Sequence, residues 1–216
     1  MKIETIISAK SIWLFDLRTI NPRGRNLYRI IIPILQQWYG FVPPTEIEEE
    51  KGVRFAGGEF SPSGRGDDMT GVEIVIYNDG VVATCATSTE DSDAFLELVC
   101  VRLAKEGIIS YSPELVSKKQ YVSEVFARSD KPLSLPQLNP VYNVLSKFIG
   151  LNEVQLSWSS LKLDVDPTVA SRQVTFKFER RASKSFDQNL WYSHGPLTTT
   201  QHQAVLNAIE VALATT

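Results

Sequence analysis

The chain has 216 residues, of which 43% are hydrophobic and 22% are charged, and these shares are ordinary for a globular protein. Its net charge of -3 argues against a polyanion partner held by bulk charge, and its longest apolar run, residues 30–35, is far shorter than the roughly 20 residues of a membrane span. Cys85 and Cys100 are predicted to be buried thiols of a reducing compartment. The first residues carry no signal-peptide pattern, so the sequence favours a cytoplasmic protein without a membrane partner.

The first elements predicted along the chain are a strand and an amphipathic helix. Residues 11–17 predict a buried strand. Residues 24–39 predict a helix, because their apolar side chains recur at helical spacing: Leu27, Ile30, Ile31, Ile34, Leu35 and Trp38. Pro33 lies off this stripe and predicts a kink or a later helix start, not a break. The acidic, proline-containing residues 41–51 predict a connector, and residues 53–60 a short strand.

A β-hairpin is the strongest local signal in the first half of the chain. Residues 72–77 and 81–85 are rich in β-branched side chains, and the turn residues Asn78-Asp79-Gly80 join them. Residues 87–90 have the spacing of a capping box and open a second helix. Gly107 predicts the end of that helix.

The second half of the chain predicts a further set of strands and helices. Alternating patterns predict strands at residues 120–128, 153–165 and 173–181. Residues 137–149 predict a helix with one apolar face: Leu138, Val141, Tyr142, Leu145, Phe148 and Ile149. A second capping box predicts the start of the last helix, which covers residues 200–213.

Together these elements predict an α+β fold in which about four helices cover one side of a mainly antiparallel sheet. Residues 1–216 are predicted to form a single globular domain, with two similar halves at 1–112 and 113–216. Each half follows the order β-α-β-β-α, with an extra hairpin strand in the first. Residues 20–31 and 138–149 share an aliphatic-Asn-Pro start and the apolar positions that follow it. Chance similarity between amphipathic elements is the alternative to a duplication.

Four arginines surround the predicted start of the first helix: Arg18, Arg23, Arg25 and Arg29. The unpaired N–H groups of a helix start favour an anion. A positively charged arginine there opposes the helix dipole, so the helix itself gives no obvious structural reason for these residues. They predict a contact with phosphate, with nucleic acid or with an acidic protein surface. The alternative is that they are solvated, or that they pair with the acidic residues 46–50.

The segment of residues 179–196 combines basic and aromatic side chains and is interpreted as a loop. Its candidate binding residues are Arg180, Arg181, Trp191, Tyr192 and His194. Exposed aromatic rings next to basic groups stack on nucleic-acid bases or anchor protein interfaces. The alternative is that these rings fold back onto the edge of the core.

Sequence patterns for catalysis or for a cofactor are weak. The two histidines, His194 and His202, are eight residues apart and match no zinc-ligand spacing. Ser193 precedes His194 outside a Gly-x-Ser-x-Gly context, which makes a hydrolase triad weak. The scattered carboxylates lack the arrangement of a magnesium-dependent nuclease, and the chain has no phosphate-binding glycine loop. The sequence therefore predicts no catalytic residue, no metal and no cofactor.

The function favoured by the sequence is that of a non-enzymatic binding protein, a subunit or adaptor of a larger protein assembly. The expected partner is another protein or a second copy of the chain, because basic-aromatic residues and exposed strand edges suit such contacts. The alternative is a nucleic-acid-associated protein or small nuclease that uses the arginine clusters. A hydrolase with a site at His194 is a further alternative.

Overall fold

A computed structural model of the chain describes residues 1–24, 27–44, 52–149, 157–164 and 175–214. Its helices and strands in chain order are β1 (Lys2–Leu14), α1 (Leu17–Ile20), α2 (Leu27–Tyr39), β2 (Val53–Phe60), β3 (Thr70–Tyr77), β4 (Gly80–Cys85), α3 (Thr89–Lys105), β5 (Lys118–Arg128), α4 (Asn139–Ile149), β6 (Ser160–Asp164), β7 (Thr175–Arg180), β8 (Leu190–Gly195) and α5 (Thr199–Leu213). Three short 3-10 turns lie at Pro113–Leu115, Pro136–Leu138 and Phe186–Gln188. None of the described helices combines the length and the apolar character needed to cross a bilayer.

The eight strands are hydrogen-bonded in one sheet, in the order β2-β3-β4-β1-β5-β8-β7-β6. The pairings β1–β4, β2–β3, β3–β4, β6–β7 and β7–β8 are antiparallel. Within the described ranges, four helices are longer than one turn, and α1 adds a fifth of four residues. The predicted α+β fold with a mainly antiparallel sheet is therefore confirmed.

Two strands differ from the sequence prediction. β1 begins at Lys2, well before the predicted residue 11, because its first half is polar and partly exposed and carries no buried-strand signal. The interpretation of residues 179–196 as a loop is wrong, because β7 extends to Arg180 and β8 covers Leu190–Gly195. With β8 included, the order β1-α2-β2-β3-β4-α3 recurs as β5-α4-β6-β7-β8-α5, so the predicted β-α-β-β-α unit lacked one strand. A common origin of the two halves stays a prediction.

The described chain divides into two compact units. The N-terminal unit contains Ile6–Ser123 and Pro196–Thr199, and the C-terminal unit contains Met1–Thr5, Glu124–Gly195 and Thr200–Thr216. β1 and β5 each contribute residues to both units. The single domain with similar halves at 1–112 and 113–216 stays a prediction.

The core of the N-terminal unit lies between the sheet and the helices α2 and α3. The stripe of α2 is buried at Leu27, Ile31 and Leu35, and Pro33 lies inside the helix on its exposed side. From α3, the buried side chains are Phe95, Leu96, Val99, Cys100 and Leu103. α2 contacts β2 and α3 contacts β4, and the apolar stripe of each helix determines which of its sides faces the sheet.

The helix starts differ by one residue from the predicted capping boxes. The side chain that caps α3 is Ser88, not Thr87, and its hydroxyl accepts a hydrogen bond from the Asp91 backbone N–H at 2.9 Å. α5 begins at Thr199, one residue before the predicted Thr200. The Thr199 N–H donates to Thr89 Oγ1 at 2.7 Å, and the Thr89 N–H donates to Thr199 Oγ1 at 2.9 Å. The N–H groups that a helix start leaves unpaired are satisfied here by hydroxyls.

The core of the C-terminal unit is built from β7, β8 and α5. Its buried side chains include Phe176, Phe178, Trp191, Leu206 and Ile209. The helix α4 does not bury the face that the sequence assigns to the core. Val141 and Leu145 are exposed on it, and Tyr142 is half-buried. The side chains of Phe148 and Ile149, and residues 153–156 of the strand predicted at 153–165, lie outside the described residues.

Candidate protein-binding surface

The predicted binding residues of β8 are divided between two faces of the strand. Trp191 is fully buried, with its ring centroid 4.5 Å from that of Phe178 and 4.8 Å from that of Trp158. Tyr192 and His194 alternate with the buried positions and are half-buried. Since successive side chains of a strand point to opposite faces, these three residues do not form one surface. Trp191 packs in the core and offers no exposed ring to a partner.

The Arg180 side chain holds neighbouring core segments together. Its Nε donates to the Trp158 carbonyl at 3.1 Å, and its guanidinium also donates to Ser157 Oγ at 3.2 Å. The guanidinium carbon lies 4.5 Å from the ring centroids of both Trp191 and Phe186. Burial lowers the pKa of Arg180, and no carboxylate of the described residues lies within ion-pair distance. These contacts favour a structural role, because the guanidinium already has hydrogen-bond acceptors and two aromatic rings as neighbours.

Arg181, Tyr192 and His194 lie apart from Arg180. The Arg181 guanidinium stands 4.1 Å from the ring centroid of Phe126, and the Tyr192 hydroxyl donates to Glu124 at 3.4 Å. Burial, together with the Glu124 carboxylate, raises the pKa of Tyr192. The Nδ1 atom of His194 is buried and has no hydrogen-bond partner among the described residues. This face of the C-terminal unit thus holds three of the predicted residues, two of which already contact side chains of β5.

The arginines predicted at the first helix lie in the N-terminal unit. Arg18 belongs to α1 and Arg23 to the following turn, and both are exposed. Neither forms an ion pair with a described carboxylate. Arg29 lies exposed in the first turn of α2, which begins at Leu27, and Arg25 lies outside the described residues. The structure therefore leaves two solvated guanidinium groups near this helix start.

Ser193 contacts His202 and not its chain neighbour His194. The Ser193 hydroxyl donates to the Lys177 carbonyl at 2.9 Å and lies 2.7 Å from His202 Nε2, so the histidine nitrogen carries the hydrogen of that second bond. Both side chains are fully buried, and the hydroxyl has no exposed face for a substrate. Burial, with the His194 charge as a smaller cause, lowers the pKa of His202 to about 4. The helical spacing of His202 and the buried Leu206 was the sequence signal for this core position.

A polar cluster on α3 was not identified from the sequence. The Asp93 carboxylate accepts hydrogen bonds from Trp13 Nε1 (2.6 Å), Ser11 Oγ (2.7 Å), Lys119 Nζ (3.0 Å) and Tyr121 Oη (3.4 Å). Burial acts to raise the pKa of Asp93, but these donors outweigh burial and hold it below its usual value. A carboxylate with four protein donors has little free capacity for a ligand, which indicates a structural network. The sequence signal for this cluster was the acidic residue Asp93 on the apolar stripe of α3.

An apolar surface of the C-terminal unit is exposed on α4 and β6. Four side chains define this α4–β6 apolar surface: Val141 (51% exposed), Val144 (52%), Leu145 (45%) and Leu163 (52%). The three helix residues are spaced by one turn or less and share one side of α4. Leu163 is paired in the sheet with the buried Phe176, so it lies on the core side of β6. Apolar side chains of the kind that build the core are thus open to solvent here.

The N-terminal unit buries the equivalent surface. The stripe of α2 leaves Leu27 7% exposed, Ile31 4% and Leu35 0%, and the strand β2 buries Val53 and Phe55 completely. α2 and α4 occupy the same position in the repeated element order and carry similar apolar spacing. The two helices therefore differ in what covers their apolar sides, not in the pattern that their sequences carry.

The strand β6 is the last strand of the sheet order at its end of the sheet, and no described strand pairs with its outer side. It carries one positive and one negative side chain. Lys162 Nζ lies 2.7 Å from Asp164 Oδ2, both side chains are exposed, and Asp164 also accepts a hydrogen bond from Thr175 Oγ1. The charges of this edge strand cancel within the strand, so the edge has no net attraction for a charged partner.

No group of three or more His, Cys, Asp or Glu side chains in the described part of the chain is arranged to hold a metal ion. Comparison of the chain with protein-family models gives no match, and comparison with curated proteins gives none either. The function is therefore inferred from the chain's own surfaces, and the α4–β6 apolar surface holds four exposed apolar side chains.

Proposed function

We propose that this protein is a non-enzymatic binding protein, a subunit of a larger protein assembly, and that it associates through the α4–β6 apolar surface. The observation that carries the proposal is the contrast between α2, whose apolar stripe is buried, and α4, whose stripe is half exposed. Exposed apolar area of this kind costs free energy in water, and covering it with a protein recovers that free energy.

The occupant we assign to this surface is a second copy of the chain. The surface is apolar, and the two charges beside it on β6 neutralise each other. A strongly charged partner gains nothing from such a surface, whereas a second copy matches its polarity. A two-fold arrangement buries the same patch on both copies and closes without further growth.

The groups with potential for acid–base chemistry favour binding over catalysis. Ser193 and His202 are bonded to each other inside the core, and Asp93 is occupied by four donors. A general base needs access to a substrate proton, and a buried, saturated group lacks that access. These arrangements support the proposal of a subunit without an active site of its own.

Association is tested by sedimentation velocity on the full chain. We expect the native protein to sediment as a dimer, and Val144→Glu to sediment as a monomer with an unchanged circular dichroism spectrum. A charge buried without a partner costs several kcal/mol, so the dissociation constant should rise about 100-fold or more. The matched control is Val211→Glu, since Val211 is 85% exposed on α5 of the same unit. A native chain that stays monomeric at every accessible concentration would contradict the proposal, as would equal effects of the two variants.

Nucleic-acid binding is the second candidate function, and the exposure of Arg18 and Arg23 is the observation in its favour. Contacts of arginine with phosphate weaken as salt rises, because they release counterions. We expect a salt-sensitive gel shift with DNA or RNA if this candidate is correct, and its loss in an Arg18→Gln, Arg23→Gln double variant. Absence of a shift at low salt rejects it and leaves the dimer proposal unchanged.

A further inference from the structure

Among the described strands, none pairs with the outer edge of β6, and this edge indicates how a second copy could dock. An end strand presents unpaired backbone N–H and C=O groups, and these are a template for pairing with another strand. β6 is such an end strand, with Leu161 and Leu163 on the core side and Lys162 and Asp164 exposed. Hydrogen bonding along this edge would bring the exposed Leu163 side chains of two copies together at the joint.

We propose that two copies of the chain pair their β6 strands antiparallel, with Leu163 opposite the partner's Leu163. This inference rests on the proposed self-association and specifies its register. In this register Lys162 stands opposite the partner's Asp164, and Asp164 opposite the partner's Lys162. The two Leu163 side chains meet on the core side, where each is otherwise exposed. The sheet then continues from one copy to the other.

The charges of β6 select this register from its neighbours. Antiparallel registers that keep the core sides of both copies on the same side are centred on one residue of Ser160–Asp164. A centre at Ser160 pairs neither charge of β6 with an opposite charge of the partner's β6. A centre at Lys162 or at Asp164 sets two like charges against each other, and a centre at Leu161 sets Lys162 against the partner's Ser160. The centre at Leu163 makes two pairs of opposite charge. Opposite charges in directly facing positions stabilise a sheet, and like charges destabilise it.

The contact within one chain between Lys162 and Asp164 does not compete strongly with this pairing. Both side chains are exposed, and an exposed ion pair contributes little to stability because water and salt screen it. The two side chains can therefore exchange a partner in the same strand for a partner across the joint. The same exposed positions allow substitution without disturbing the core.

The register is tested by exchanging charges between copies. Lys162→Glu places two pairs of negative charges across the joint, and Asp164→Lys places two pairs of positive charges there. We expect each variant alone to dimerise roughly tenfold or more weakly than the native chain, measured by sedimentation equilibrium. The double variant Lys162→Glu, Asp164→Lys restores both opposite-charge pairs and should return to within about threefold of the native value. Lys184→Glu, an exposed turn residue of the same unit, is the control and should leave the dimer unchanged.

Mixing the two single variants separates a contact between copies from an effect within one chain. In the mixed dimer, the glutamate introduced at position 162 of one copy faces the lysine introduced at position 164 of the other, and Asp164 of the first copy faces Lys162 of the second. With a mass tag on one variant, native mass spectrometry should therefore find the mixed dimer in excess over both homodimers. A statistical mixture would overturn the register. If the native chain dimerises and Val144→Glu abolishes dimerisation, that result leaves the proposed function standing, whereas a monomeric native chain overturns both.

Discussion

Neighbouring residues of β8 have opposite surroundings, because consecutive side chains of a strand point to opposite faces. Trp191 and Ser193 are fully buried, whereas Tyr192 and His194 are half-buried. The sequence predicted one basic-aromatic surface, since a segment interpreted as a loop carries no alternation. Residue types alone therefore identified an unusual segment, but not that its side chains lie on two different faces. The reason is that the strand β8 was not predicted.

The buried His202–Ser193 pair makes the stability of the fold depend on pH. Burial lowers the pKa of His202 from 6.5 to about 4, so the unfolded chain takes up a proton at higher pH than the folded chain. The free energy of unfolding should therefore fall as the pH drops from about 6.5 to about 4, by about 3 kcal/mol, and change no further through this group below that. Urea unfolding between these pH values measures the effect. His202→Gln, which keeps a neutral hydrogen-bonding side chain, should flatten the dependence, and an equal slope in both proteins would contradict the assignment.

At the scale of the element, local sequence patterns were sufficient to predict a helix or strand where one face of that element is buried. The spacing of Leu27, Ile31 and Leu35 predicted α2, and the Asn78-Asp79-Gly80 turn predicted the hairpin β3–β4, whose strands the structure joins at Tyr77 and Gly80. β8 was missed because Leu-Trp-Tyr begins it without polar alternation. Periodicity shows which side of a helix is apolar but not what covers that side, so the exposure of α4 was not predictable.

The start of α3 provides a test at this scale, because the sequence and the structure assign different caps. Ser88 Oγ accepts the Asp91 N–H, so Ser88→Ala leaves that donor without its side-chain partner. Loss of a helix cap costs about 1 kcal/mol, and we expect that decrease in the free energy of unfolding measured with urea. Thr87→Ala, the residue of the predicted capping box, is the comparison and should cost less than half as much. A larger loss for Thr87→Ala would favour the cap predicted from the sequence.

At the scale of the whole molecule, one order of elements occurs twice with different consequences for burial. In the N-terminal unit, the helix α2 and the edge strand β2 bury their apolar sides. In the C-terminal unit, α4 and β6 leave theirs in part exposed. A single chain of this size normally covers such side chains by its own folding. This exception is the observation that supports the proposed self-association.

The proposed self-association predicts a concentration dependence of thermal unfolding. Anything that binds the folded state stabilises it by mass action, so the melting temperature of a dimer rises with protein concentration. Each tenfold increase adds about 1.4 kcal/mol per mole of dimer to the free energy of unfolding. We expect this rise for the native chain by differential scanning calorimetry, and a melting temperature independent of concentration for Val144→Glu. A native melting temperature that does not change over two decades of concentration would mean that the α4–β6 apolar surface stays uncovered in the stable fold.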